Sequence, residues 1–125
     1  MSIFKKLSSW VPAVLFAFGI FYMSSRSNPP GAGLFEFIPN SDKLVHMTEY
    51  FILSSLIYFA LRKAHNIKTN KAVLAAVLIA SLYGMTDEYH QSFVPERSMD
   101  ILDWAADIVG AIIGASSRYK VRIEK

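Results

Sequence analysis

Three runs of this chain concentrate the side chains that could do chemistry. They are Asp42–Tyr50 (DKLVHMTEY), Asp87–Gln91 (DEYHQ), and Arg97 followed by Asp100, Asp103 and Asp107. On a helix, positions 42, 46, 49 and 50 share one face, as do 87 and 91, because residues three, four and seven apart stack on successive turns. Asp100, Asp103, Asp107, Gly110 and Gly114 follow one another in steps of three and four, which makes a single stripe, acidic at one end and glycine-rich at the other. Asp42, His46, Glu49, Asp87, Glu88 and Asp103 are the candidates for general acid–base work. His46, Glu49, Asp87, Glu88 and His90 are candidate metal ligands. Their oxygens suit Mg, Mn or Ca, and the imidazoles admit Zn. Lys43 and Arg97 are suited to phosphate, while Tyr50, Gln91 and Asp107 could bond to sugar or peptide groups. The HxxE pair at 46 and 49 and the ExH at 88–90 are weak metal patterns taken alone. Cysteine is absent, so disulfides, thiolate metal sites and thiol nucleophiles are excluded.

The elements that position these residues follow from composition. The 125 residues suit one domain, here 1–125. Hydrophobic residues make up 53%, charged residues 18%, and the mean hydropathy is +0.31. That is too little charge to cover a water-facing surface, and the net charge of +3 on so apolar a chain argues against nucleic acid. Four apolar stretches, about 7–23, 44–61, 72–91 and 101–117, approach membrane-spanning length and lack the alternation of strands. The expected fold is all-α, a four-helix transmembrane bundle. The first stretch exceeds a signal-peptide core and is followed by no small-x-small cleavage site, so it is expected to remain as a helix. Pro29, Pro30, Gly31 and Pro39 break the segment after it, in which Leu34, Phe35, Phe37 and Ile38 could lie along the outer interface.

Charge sets the expected topology. Lys5 and Lys6, then Arg62, Lys63, Lys68 and Lys71, then Arg118, Lys120, Arg122 and Lys125 alternate to one side, which takes ten of the thirteen basic residues. The positive-inside bias makes that side cytoplasmic, with both termini there. Nine of the ten acids (Glu36, Asp42, Glu49, Asp87, Glu88, Glu96, Asp100, Asp103 and Asp107) then gather at the extracytoplasmic mouth with Arg26, Lys43 and Arg97. Ion pairing could hold a bundle together, but it leaves an acidic surplus that must protonate or recruit a cation. The Gly110-Ala111-Ile112-Ile113-Gly114 motif suggests a close helix contact, within the chain or in a homo-oligomer. Ser54 and Ser55 are better suited to bonding helix backbones than to nucleophilic attack. Trp10, Tyr22 and Tyr119 suit a membrane interface, Trp104 an interface or a site wall, and His65 a solvated or headgroup-facing position.

The runs Asp42-Lys43-x-x-His46-x-x-x-Tyr50, Asp87-Glu88-x-x-Gln91 and Arg97-x5-Asp103-x3-Asp107-x2-Gly110 resemble the VanZ-like family of small bacterial membrane proteins. The resemblance covers about 42–114. Asp107 stands where members commonly have Asn, which adds an anion. The likeness implies a multi-pass protein of the bacterial inner membrane and a link to glycopeptide (teicoplanin) resistance, the trait behind the family's name. It implies no settled reaction. Two functions are therefore expected: binding of a lipid-linked cell-wall precursor or phospholipid head group, or a metal-assisted hydrolase or transferase acting on one. A proton or solute path is the weakest option, since the cytoplasmic half lacks polar lining. An acidic pocket would repel bare phosphate, so an anionic lipid and a bound divalent cation are expected together.

Overall fold

The computed structural model describes residues 1–27 and 37–123, with side chains through Arg118. Leu34, Phe35, Glu36 and the basic side chains Lys120, Arg122 and Lys125, with Tyr119 and Glu124, lie outside the described residues. The chain folds into four α-helices, α1 (Ile3–Ser24), α2 (Ser41–His65), α3 (Thr69–Gln91) and α4 (Ile101–Ile123), with no strand among the described residues. The first three are long and apolar enough to cross a membrane.

The helices overrun their apolar stretches for local reasons. Ser2 caps α1, its Oγ accepting from the Lys5 amide at 3.3 Å. The last turn of α2 carries Arg62 and Lys63, cations that favour a helix C-terminus, and Asn66 closes it with φ 50. Asparagine tolerates that left-handed conformation better than most residues.

Successive helices run antiparallel. At one end Trp10 Nε1 of α1 donates to His65 Nε2 of α2, 3.0 Å away. At the other, Ser24 of α1 meets Asp87 of α3, and His46 of α2 meets Asp107 of α4. The first end therefore carries Lys5, Lys6, Arg62, Lys63 and Lys68, and the second collects the carboxylates. Helix α2 is central and touches the other three, α4 most extensively.

On α3 and α4 small residues face inward and large ones outward, against the larger core side chains of α2, Tyr50, Leu53, Ile57 and Tyr58. The interior is lined by Ala72, Ala76, Ala80, Ala111 and Ala115, all fully buried, whereas Leu15, Phe18, Leu74, Leu82, Ile112 and Ile113 point outward. Small residues let helix backbones approach where lipid supplies no hydrophobic driving force. The closest approach is α2 against α4. A Cβ at Gly110 would strike the Met47 carbonyl oxygen, and one at Gly114 that of Phe51. Ser54 Oγ donates to the Ala111 carbonyl at 2.9 Å and Ser55 Oγ to that of Gly114 at 3.1 Å. The GxxxG motif is thus occupied inside the chain.

Candidate functional site

The C-terminal ends of α1 and α3 and the N-terminal ends of α2 and α4 meet in one polar cluster. At its rim, Lys43 Nζ donates to Asp42 at 2.7 Å, Asp100 at 2.9 Å and Asp103 at 2.6 Å. An ammonium has three protons, so Lys43 is fully committed to carboxylates. That differs from its expected role on phosphate. Asp100, in the α3–α4 connection, is held by this bond below its ordinary value of 3.8. Its backbone amide in turn donates to Glu88 Oε2 at 3.1 Å, which ties the connection to α3.

Beneath the rim lies His46. Its Nδ1 is 2.7 Å from Asp107 Oδ1 and 3.8 Å from Glu88 Oε1, and its Nε2 is 3.7 Å from Asp103 Oδ2. Asp107 is 0% exposed, Glu88 2% and His46 8%. Two carboxylate oxygens in this buried cluster, Glu88 Oε1 and Asp107 Oδ2, have no protein hydrogen-bond partner, and neither has the fully buried Tyr50 hydroxyl. One ligand atom each from His46, Glu88 and Asp107 lies within 4.8 Å of the others, a grouping able to hold a metal ion.

A second group occupies the α1–α3 side. Asp87 Oδ1 accepts from Ser24 Oγ at 2.6 Å, and its Oδ2 accepts from Gln91 Nε2 at 3.4 Å. Arg97 donates to Gln91 Oε1 at 3.3 Å and to the Arg26 carbonyl at 3.1 Å, clamping the α3–α4 connection onto the end of α1. The turn that returns Arg97 to this position includes Glu96 at φ 67.

The expected ligand set is therefore divided. His46 and Glu88 meet, and Asp107 joins them in place of Glu49, Asp87 and His90. Asp87 is engaged by Ser24 and Gln91. His90 stacks on Phe21, ring centroids 4.4 Å apart, because residues 88 and 90 point to opposite sides of a helix. Glu49 lies one turn below His46 and opens into an apolar groove between α1 and α2. The groove holds about 390 Å³ and is walled by Phe16, Ile38, Leu44, Val45 and Ile52. Asp42 sits at the exposed rim and Tyr50 in the core. Trp104 bonds to the Ser81 carbonyl of α3 at 2.9 Å.

Two contributors carried no signal on their own. Ser24 looked like the start of a loop, yet it ends α1 and is the Asp87 partner. Gly84 continues the alanine stripe of α3, and a Cβ there would lie 2.8 Å from Asp107 Oδ2 and 3.2 Å from Tyr50 Cε1. Its lack of a side chain is what admits Asp107.

Fold and site together define a small all-helical protein of membrane-spanning character with a buried acid–histidine cluster at one end of its bundle. The chain belongs to the VanZ/LLP1 family, whose model matches residues 3–119. It is 26% identical over 92 residues to an uncharacterized protein of Schizosaccharomyces pombe, covering 70% of this chain and 54% of that one. It thus spans about half the length of that relative. No solved structure matches.

Proposed function

We propose that the chain is a cell-envelope membrane protein that crosses four times, with both termini cytoplasmic, and binds the phosphate-bearing head group of a lipid or lipid-linked precursor at its extracytoplasmic mouth. The observation that carries this reading is the junction of a buried polar cluster with an apolar groove, Glu49 belonging to the wall of one and the neighbourhood of the other. A lipid presents the same two chemistries at the same junction. Ten basic residues segregated along the sequence support the orientation. The fission-yeast relative favours a head group that bacterial and fungal membranes share over one confined to a bacterial wall. A role in teicoplanin resistance would follow only if the retained lipid were a wall precursor.

The test is lipid retention. Protein extracted in mild detergent is expected to carry lipid detectable by mass spectrometry. Ile52→Trp, which fills the groove, and Arg97→Gln, which removes the guanidinium, should each lower retention roughly 10–100-fold, the equivalent of one or two charge-assisted hydrogen bonds or their burial. Equal retention by parent and both variants overturns the reading. The absence of cysteine allows the orientation to be checked directly. Glu96→Cys should react with an impermeant maleimide in intact cells, and Asn66→Cys only after permeabilisation.

A metal-assisted hydrolase or transferase is the second reading, favoured by the imidazole among the carboxylates. Release of phosphate or a new head group from envelope lipids supports it, and unchanged lipid masses overturn it.

A further inference from the structure

We infer that His46, Glu88 and Asp107 form a binding site for one divalent first-row transition ion, with Asp103 orienting the imidazole from behind. Three observations carry this. First, His46 Nδ1, Glu88 Oε1 and the Asp107 carboxylate converge from α2, α3 and α4 on one side of the ring, mutually within 4.8 Å. Bonds of about 2.0–2.2 Å to an ion would place such atoms roughly 3–3.5 Å apart. The spacings of 2.7 Å and 3.8 Å from Nδ1 bracket that range, and the widest spacing in the group, within 4.8 Å, must close by roughly 1 Å for an ion to be held. Second, Glu88 is 2% exposed, and its Oε1 has no partner although it points at Nδ1. A buried carboxylate oxygen without a donor is costly, and an ion supplies the missing positive charge. Third, the far ring nitrogen, Nε2, faces Asp103 Oδ2 at 3.7 Å, and Asp103 is itself held by Lys43 at 2.6 Å. At 3.7 Å this is longer than a hydrogen bond, and a closure of roughly 0.7 Å would bring Asp103 to the supporting position usual behind a metal-bound histidine.

Charge and donor type select the ion. A neutral imidazole with two carboxylates sums to two negative charges, which a divalent cation neutralises. A buried site cannot carry much residual charge. One nitrogen donor disfavours Mg and Ca and favours Mn or Zn. Three protein ligands leave coordination positions open, as at ions that engage a substrate. The site deepens the head-group reading and rests on it only for what those open positions receive, here a phosphate oxygen. The ion would reverse the repulsion that the acidic mouth presents to an anion.

The test uses the full chain in detergent, stripped with a chelator and freed of lipid, and titrated with Mn²⁺ and Zn²⁺. One equivalent is expected to bind. Glu88→Gln and Asp107→Asn should weaken binding by more than about 100-fold, and Asp103→Asn by roughly 10–100-fold, the range typical of a supporting carboxylate. Glu96→Gln, which removes an exposed acid, should bind as the parent does. Since a variant could fail to fold, the parent supplies its own check: pulsed EPR of the Mn²⁺ form should detect a single directly bonded ring nitrogen. No binding by either ion, no nitrogen coupling, or full affinity in Glu88→Gln and Asp107→Asn overturns the site. Ion binding without lipid retention leaves the site standing and overturns only the head-group reading.

Discussion

Gly110→Ala adds one methyl group at the tightest point of the bundle, and its effect can be worked from the seam between α2 and α4. The new Cβ would lie against the Met47 carbonyl oxygen and 2.8 Å from Met47 Cα. These are backbone atoms inside a helix and cannot step aside singly, so α4 must back away as a unit. A carbon contact relaxes at about 3.5–4.0 Å, which implies a separation on the order of 1 Å. The serine bonds across the seam, at 2.9 Å and 3.1 Å, would then exceed hydrogen-bond range. Overpacking costs about 1–3 kcal/mol and interhelical bonds in membrane proteins about 0.6 kcal/mol each. A loss of roughly 2–4 kcal/mol follows from the two together. Gly19→Ala is the control, since nothing lies within 4 Å of a Cβ there. It should be neutral or slightly stabilising, alanine being the better helix former by up to about 1 kcal/mol. Unfolding in mixed micelles with increasing SDS, followed by helicity, measures both. A Gly110→Ala protein within about 0.5 kcal/mol of the parent, comparable with an ordinary surface substitution, would refute the seam as a main source of stability.

Two further perturbations separate site from scaffold. Gly84→Ala meets the Asp107 side chain at 2.8 Å rather than backbone, so stability should fall by only about 1–2 kcal/mol while Mn²⁺ affinity drops roughly tenfold or more. Unaltered affinity in a folded Gly84→Ala protein would show that Asp107 has no fixed position to lose. Lys43→Met leaves Asp42, Asp100 and Asp103 without their shared ammonium. The group is partly exposed and screened by solvent, so stability at pH 7 should fall, but by less than on breaking a buried pair. Lys43 depresses the Asp100 carboxyl, so its stabilisation is present above the ordinary value of 3.8 and disappears as pH falls below it. Unfolding measured at pH 7 and pH 3 should therefore show parent and variant converging in acid. A constant gap would remove the Lys43–Asp100 pair from the account.

How much of this was legible in the sequence depends on the range of the interaction. The four helices and the gathering of acids at one end come from hydropathy and spacing, which act within one element. The stripe Asp103, Asp107, Gly110, Gly114 was visible as a face, and in the structure that face lies along α2. Which carboxylate meets which partner depends on the rotation of each helix about its axis, and no single helix encodes that. Asp87 and Glu88 are neighbours in sequence but about 100° apart around α3, so one turns to Ser24 of α1 and the other to His46 of α2. The exclusion of His90 was available in principle, since a two-residue step cannot share a helix face with Glu88. Ser24 and Gly84 were not available. A serine near a helix end and a glycine in an alanine-rich run acquire meaning only from the partner across the gap.

The seam and the site are continuous. Asp107, Gly110, Ala111 and Gly114 occupy one line along α4, and the α2 residues that receive them, His46, Met47, Ser54 and Ser55, line the facing side. The distance between His46 and Asp107 is therefore set by the glycine contact one turn below. Helix α3 adds Glu88 to the same point, and Gly84, one turn further in, clears the room for Asp107. Close packing of small residues thus does two things: it holds helices together where water cannot drive them, and it brings carboxylates from separate helices nearer than their charges would allow. Positions that pack the seam and positions that hold the ion should consequently couple. In a double-mutant comparison, Gly110→Ala and Asp107→Asn should lower Mn²⁺ affinity by less together than the sum of their separate effects, because either change already separates the Asp107 carboxylate from His46 Nδ1. Strict additivity would mean that seam and site are independent structures sharing one helix.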